Sequence, residues 1–164
     1  MSNDFYATSI LPYSAIIIKI CRVYSNSQQD FEDYYQEVCL QIWRSRNKFK
    51  GNSKKTTWIY RLSLNVCLTL LKKEVKYRGV HINSDNLPDK LIEDRQIFTD
   101  KDLSKLYEGI KQLSEIDRAI ITLYLEELSY KEIAQIIGTN TNNIGVKIKR
   151  IKNRLKRILT KNKF

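Results

Sequence analysis

Turn formers are scarce in this 164-residue chain. It holds five glycines and two prolines, too few for the repeated tight reversals of a β-sandwich or barrel. Histidine occurs once, at His81, and cysteine three times, at Cys21, Cys39 and Cys67. Cysteine spacings of 18 and 28 residues fit neither a zinc knuckle nor a Cys-x-x-Cys redox pair. Each cysteine lies among apolar residues at helical spacing, so buried free thiols are expected, which suits a reducing cytoplasm. One histidine in a polar stretch lacks the partners of a metal site, and neither metal nor cofactor is expected. No run approaches 18 uninterrupted apolar residues, and Met1-Ser2-Asn3-Asp4 lacks the basic start of a signal peptide, so membrane insertion is not expected. A phosphate-cradling glycine loop and a nucleophile–base pair are also missing, which argues against an enzyme.

What the chain does hold points to helices. Hydrophobic residues make up 42% and charged residues 29%, a balance that folds and differs from that of a disordered chain. Leu, Ile, Lys, Glu and Gln abound, so an all-α fold is expected. The net charge of +11 is unevenly spread. Residues 44–78 carry a net +10 and residues 129–164 a net +9, while the remainder carries −8. Solubility needs no such segregation. Two basic blocks on an otherwise acidic chain predict two contact zones for a polyanion.

Hydrophobic periodicity predicts helices over residues 9–25, 28–46 and 56–74, with a basic, glycine-containing loop at 48–55. Periodicity then fails from about Lys76 to Thr99, a polar stretch with a proline. It is expected to be a flexible linker that lets two small helical domains, 1–75 and 100–164, tumble semi-independently. Four more helices follow. Ser114 and Ser129 stand as N-caps with Asp117 and Glu132 three residues on, and Gly138 supplies a left-handed stop. Thr141 is expected to cap the last helix, whose Ile144, Ile148, Ile151 and Leu155 face inward.

The helix, glycine turn and helix between Ser129 and Arg157 form a helix-turn-helix pattern. A recognition helix needs hydrogen-bonding and cationic groups in its first turns and freedom from acids. Asn142 and Asn143 suit adenine edges, Lys147, Lys149 and Arg150 suit guanine or phosphate, and Arg154 suits phosphate. In the first basic block, Lys50, Lys54, Lys55, Trp58 and Tyr60 offer the positive groove and stacking surfaces that a melted strand requires.

Three further motifs carry a resemblance. Asp30-x-Glu-Asp-x-x-Gln-Glu-x-x-x-x-x-Trp43, then Phe49-Lys-Gly-x-Ser53, then Thr57-Trp-Ile-Tyr-Arg-Leu-Ser-Leu-Asn65 resemble region 2 of the extracytoplasmic-function (ECF) RNA polymerase sigma factors. Leu113-Ser-Glu-Ile-Asp-Arg118 and Ser129-Tyr-Lys-Glu-Ile-Ala134 resemble their region 4. The order is right and nearly the whole chain is covered. The sequence departs from the common pattern at Asn52, Lys55, Gly145 and Val146.

The resemblance implies a transcription initiation factor, cytoplasmic and non-catalytic, that binds core RNA polymerase and promoter DNA. It implies that Asp33, Gln36 and Glu37 dock on the clamp helices of the largest subunit, and that region 4 meets the flap of the second-largest subunit. Lys50, Asn52, Ser53, Lys54, Lys55, Trp58, Arg61 and Asn65 would meet the minus-ten element, duplex and melted non-template strand. Asn142, Asn143, Lys147, Lys149, Arg150 and Arg154 would meet the minus-thirty-five element. An anti-sigma partner is a further implication. The rival expectation is a stand-alone helix-turn-helix regulator that binds a palindrome as a dimer without polymerase.

Overall fold

A computed structural model describes residues 3–80 and 101–161, the side chains of 77–80 excepted. Among the described residues every element is helical. A short turn α1 (Asn3–Phe5), a π-turn (Tyr6–Ile10) and a 3-10 turn at Leu11–Tyr13 lead into α2 (Ser14–Tyr24). Then come α3 (Gln28–Arg44), α4 (Lys55–Val80), α5 (Lys101–Lys111), α6 (Glu115–Leu125), α7 (Tyr130–Ile137) and α8 (Thr141–Lys161). Helix α4 runs past the point where apolar periodicity fades. His81 and the linker expected at 76–99 otherwise lie outside the described residues.

The caps are mostly those the sequence offers. Ser27 accepts from the Asp30 amide at 3.0 Å and starts α3. Ser114 accepts from the Asp117 amide at 3.3 Å. Ser129 and Glu132 complete a reciprocal capping box, and Gly138 stops α7 at φ +88°. The last helix differs from expectation: Asn140, not Thr141, is the cap, and its side-chain oxygen accepts from the Asn143 amide at 2.8 Å. Both residue types can cap. The one three residues before the amide in need does so.

Helices α2, α3 and α4 form one unit around Ile17, Ile20, Cys21, Val38, Ile42, Ile59 and Cys67. By length and composition the run Asn3–Tyr24 is apolar enough to cross a membrane. In this fold its apolar side chains Ile10, Ile16, Ile17 and Ile20 are core residues. All three cysteines are buried and free, as expected. Cys67 donates to Cys21 with the sulfurs 3.9 Å apart, and that bond, with burial, raises its pKa. Burial pushes the Cys39 thiol up to about 11. Helices α5 to α8 form the second unit around Ile120, Leu123, Ile133, Ile144 and Ile148.

The two units are not separate. Helix α2 packs on α5 and α6, and α4 packs on α7. The Tyr24 hydroxyl donates to the Glu115 carbonyl at 2.5 Å, and Arg118 donates to the Val23 carbonyl at 3.3 Å. Lys19 pairs with Glu126. The physical source lies in α2, whose buried residues Ile16, Ile17, Ile20, Cys21, Val23 and Tyr24 span roughly 160° of its circumference. That stripe is wider than one neighbouring layer needs. Where semi-independent halves were expected, this arrangement packs the two units against each other.

Candidate polymerase and nucleic-acid interface

On α3, Asp33 and Gln36 are exposed and Glu37 is half-buried, within roughly 100° of one another around the helix. Gln29 donates to Asp33 at 3.1 Å and Gln41 to Glu37 at 2.8 Å. These bonds between residues four apart hold both carboxylates along the helix surface. The opposite face, with Tyr34, Val38 and Ile42, is core. Trp43 is half-buried, edge-on to Phe5 at 4.9 Å and capped by the Arg46 guanidinium at 3.9 Å.

The loop that joins α3 to α4 turns at Gly51, where φ is +75° and a Cβ would be strained. Lys50, Asn52, Ser53 and Lys54 are all exposed on it. Trp58, half-buried, lies 5.4 Å from the Phe49 ring at a tilt of 44°. Arg61 and Asn65, one and two turns on, are exposed on the same side of α4. Trp58, Arg61 and Asn65 line one cleft of about 440 Å³ with Glu37 and Gln41 of α3, floored by Leu62, Val66 and Leu70. The structure thus brings the carboxylate-bearing face of α3 and the Trp58–Asn65 face of α4 to a shared groove. Lys55 does not join them. It reaches back to the Ser9 hydroxyl at 3.4 Å and is half-buried there.

On α8 the buried stripe is Ile144, Ile148, Ile151 and Leu155. Asn142, Asn143, Lys149, Arg150 and Arg154 are exposed. The Asn143 side-chain Nδ2 donates to the Thr139 hydroxyl at 3.0 Å, which orients the carboxamide and leaves its oxygen and one N–H for other partners. Lys147 is half-buried. It stands about 40° from Ile151 around the helix, so it flanks the outward face rather than lying on it. Lys152 turns away altogether: it donates to the Tyr124 hydroxyl at 2.5 Å, and this bond raises its pKa.

Sequence reasoning missed what the two surfaces meet in this state. Arg61 donates to the Gln135 carbonyl on α7, and Lys54 sits 3.7 Å from Glu132. Glu132 has its pKa lowered, chiefly by the Ser129 amide, then by the Ser129 hydroxyl and last by Lys54, so it remains an anion opposite the loop. Asn52, Ser53, Thr57 and Arg61 line a cleft of about 600 Å³ whose far wall is Ser129, Lys131 and Gln135. The acid of the capping box is visible in sequence. Its second role facing a loop nearly eighty residues earlier leaves no local signal.

Two family models match in the order of these units: Sigma-70 region 2 over residues 10–77 and Sigma-70 region 4 over residues 103–155. The chain belongs to the sigma-70 family. Its curated relatives include the ECF RNA polymerase sigma factor SigW of Bacillus subtilis, 23% identical over 96% of this chain and 90% of that one. Sigma factor SigV of the same organism is 26% identical over 94% and 90%. ECF sigma factor SigG of Mycobacterium tuberculosis is 25% identical over 90% of this chain, which spans only 46% of SigG. Among solved structures, the sigma factor RpoE, crystallised with the anti-sigma factor NepR from Bartonella quintana, superposes with a TM-score of 0.76 at 21% identity. That alignment covers 97% of this chain and 98% of RpoE. CnrH, solved with the cytosolic domain of CnrY, gives 0.70 at 16% identity over 97% and 90%. In sigma-factor terms, α2 to α4 lie in region 2 and α5 to α8 in region 4. The region 2 match sets aside the stand-alone regulator, which requires a helix-turn-helix but no such partner unit.

Proposed function

We propose that this chain binds core RNA polymerase and selects promoters by two contacts: the α3–α4 loop and α4 at the minus-ten element, α8 at the minus-thirty-five element. It performs no chemistry of its own and acts where the polymerase is, in the cytoplasm. The observation that carries this reading is the pairing of two exposed basic surfaces, one on each sigma unit, with a carboxylate-bearing face on α3. Polyanion contact explains the first two and repels the third, so α3 is left for protein. Asp33, Gln36 and Glu37 dock on the clamp helices, and region 4 meets the flap. The residues that serve the minus-ten strand are Lys50, Asn52, Ser53, Lys54, Trp58, Arg61 and Asn65, with Lys55 in a supporting place behind them. Two of its solved neighbours are held in complexes, RpoE with an anti-sigma factor and CnrH with the cytosolic domain of CnrY, which supports an inhibitory partner of that kind here.

Strand opening is the step that tests the minus-ten assignment. Replacing Lys54, Arg61 and Asn65 by alanine is expected to reduce the permanganate-reactive bubble formed by holoenzyme far more than it reduces initial duplex binding. An undiminished bubble contradicts the assignment.

A further inference from the structure

Ile144 and Ile148 are 0% and 1% exposed, yet Val146 between them is 63% exposed. Residues two apart on an α-helix point about 200° from each other, so Val146 stands near the middle of the outward face. Asn142 precedes it by one turn, and Lys149 and Arg150 follow within one turn, all exposed. A β-branched side chain gives up rotamer freedom in a helix and here gains little burial in return. The preceding residue repeats the pattern. A Cβ at Gly145 would meet only the Tyr130 ring, at 3.5 and 3.8 Å, which is ordinary contact, and its φ is not positive. Alanine would fit there and favour the helix. Two consecutive positions thus forgo helix stability without a return inside the chain, in the early turns that a recognition helix inserts into the major groove.

We infer that Val146 reads the 5-methyl group of a thymine in the upstream promoter element, a role that rests on α8 being the reader of that element. The surroundings decide between ligands. Lys149 and Arg150 beside a lone valine make a poor seat for an apolar protein partner and a good one for a polyanion. In the major groove thymine is distinguished by its methyl group, which takes an apolar contact, whereas the other bases are told apart by hydrogen bonds that valine cannot make. Gly145, lacking a side chain, leaves room for the duplex to reach the valine. Asn142 and Arg150 then read neighbouring base pairs.

The test uses holoenzyme. The parent protein first selects its upstream element from a randomised pool, and each thymine of that element is then replaced singly by deoxyuridine, which lacks only the methyl. At one position the parent is expected to lose about fourfold in binding, the equivalent of ~0.8 kcal/mol for one buried methyl-sized group, while Val146→Ala is indifferent to the same change. The inference is overturned if the selected element has no thymine, if the parent tolerates uracil everywhere, or if Val146→Ala keeps the parent's loss. Asn143→Ala and Arg150→Ala run in parallel separate the two levels. If they shift the selected sequence and Val146→Ala leaves the uracil effect intact, the valine alone is misassigned. If neither shifts it and uracil is tolerated, α8 does not read DNA.

Discussion

Glu127 adopts φ +63° in the turn between α6 and α7, a left-handed conformation that costs any residue carrying a Cβ. Gly145, by contrast, sits in ordinary helix with space for a methyl. Each occupies the kind of place that suits the other. Glu127→Gly and Gly145→Ala are each expected to stabilise the fold by up to about 1 kcal/mol, seen as a rise of about 2–4 °C in Tm. Promoter binding should separate them: Glu127→Gly leaves it unchanged, and Gly145→Ala weakens it, since the added methyl fills the approach to Val146. A drop in Tm for Gly145→Ala would contradict the space for a methyl at this position.

Among the elements, those with strong amphipathic periodicity and a side-chain cap were legible in sequence. Helices α3, α6 and α7 start within a residue of Ser27, Ser114 and Ser129 because each serine satisfies an otherwise unpaired amide. Helix α4 was harder to bound, since it meets α2, α3 and α7 at once and so lacks a single apolar face. The end of its periodicity near Lys76 therefore did not mark its end at Val80. On α8 the inward stripe is clear, but Lys147, expected to face outward, is half-buried, while Val146, marked in the sequence only as a departure from the family pattern, is exposed. An exposed valine carries no polar signal, so a search for hydrogen-bonding groups passes over it. The same helix should divide into reading and holding parts. Asn143→Ala and Arg150→Ala are expected to relax preference at single upstream positions, at about 1–3 kcal/mol for each lost base contact. Arg157→Ala, farther along, should weaken all sequences alike and lower the salt slope by about one. Selection by holoenzyme on a randomised element at two salt concentrations checks both, and equal sequence preference in all variants would mean that α8 only positions the subunit.

For the whole molecule, what could not be read from sequence is how the two units meet. The contacts made by Tyr24, Arg118 and Lys19 join residues about a hundred positions apart, and nothing local to either marks the other. In this arrangement Arg61 donates to the Gln135 carbonyl of α7 and Lys54 lies 3.7 Å from Glu132, so the α3–α4 loop and the start of α4 face the second unit. The free protein should therefore be compact, with a radius of gyration of about 15 Å by small-angle X-ray scattering, the value for a single globule of this length. Lys19→Glu, which places like charges opposite Glu126, should raise it. A parent value well above ~20 Å would show that the units part in solution. The central claim, promoter selection on behalf of the polymerase, is tested most directly by abortive transcription. Core RNA polymerase is supplied with a library of promoters, with and without this chain. The account predicts that short transcripts appear only when the chain is present, and from a subset of templates sharing a minus-ten and a minus-thirty-five sequence. Transcript yields that do not depend on the chain, or that rise on all templates alike, would contradict it.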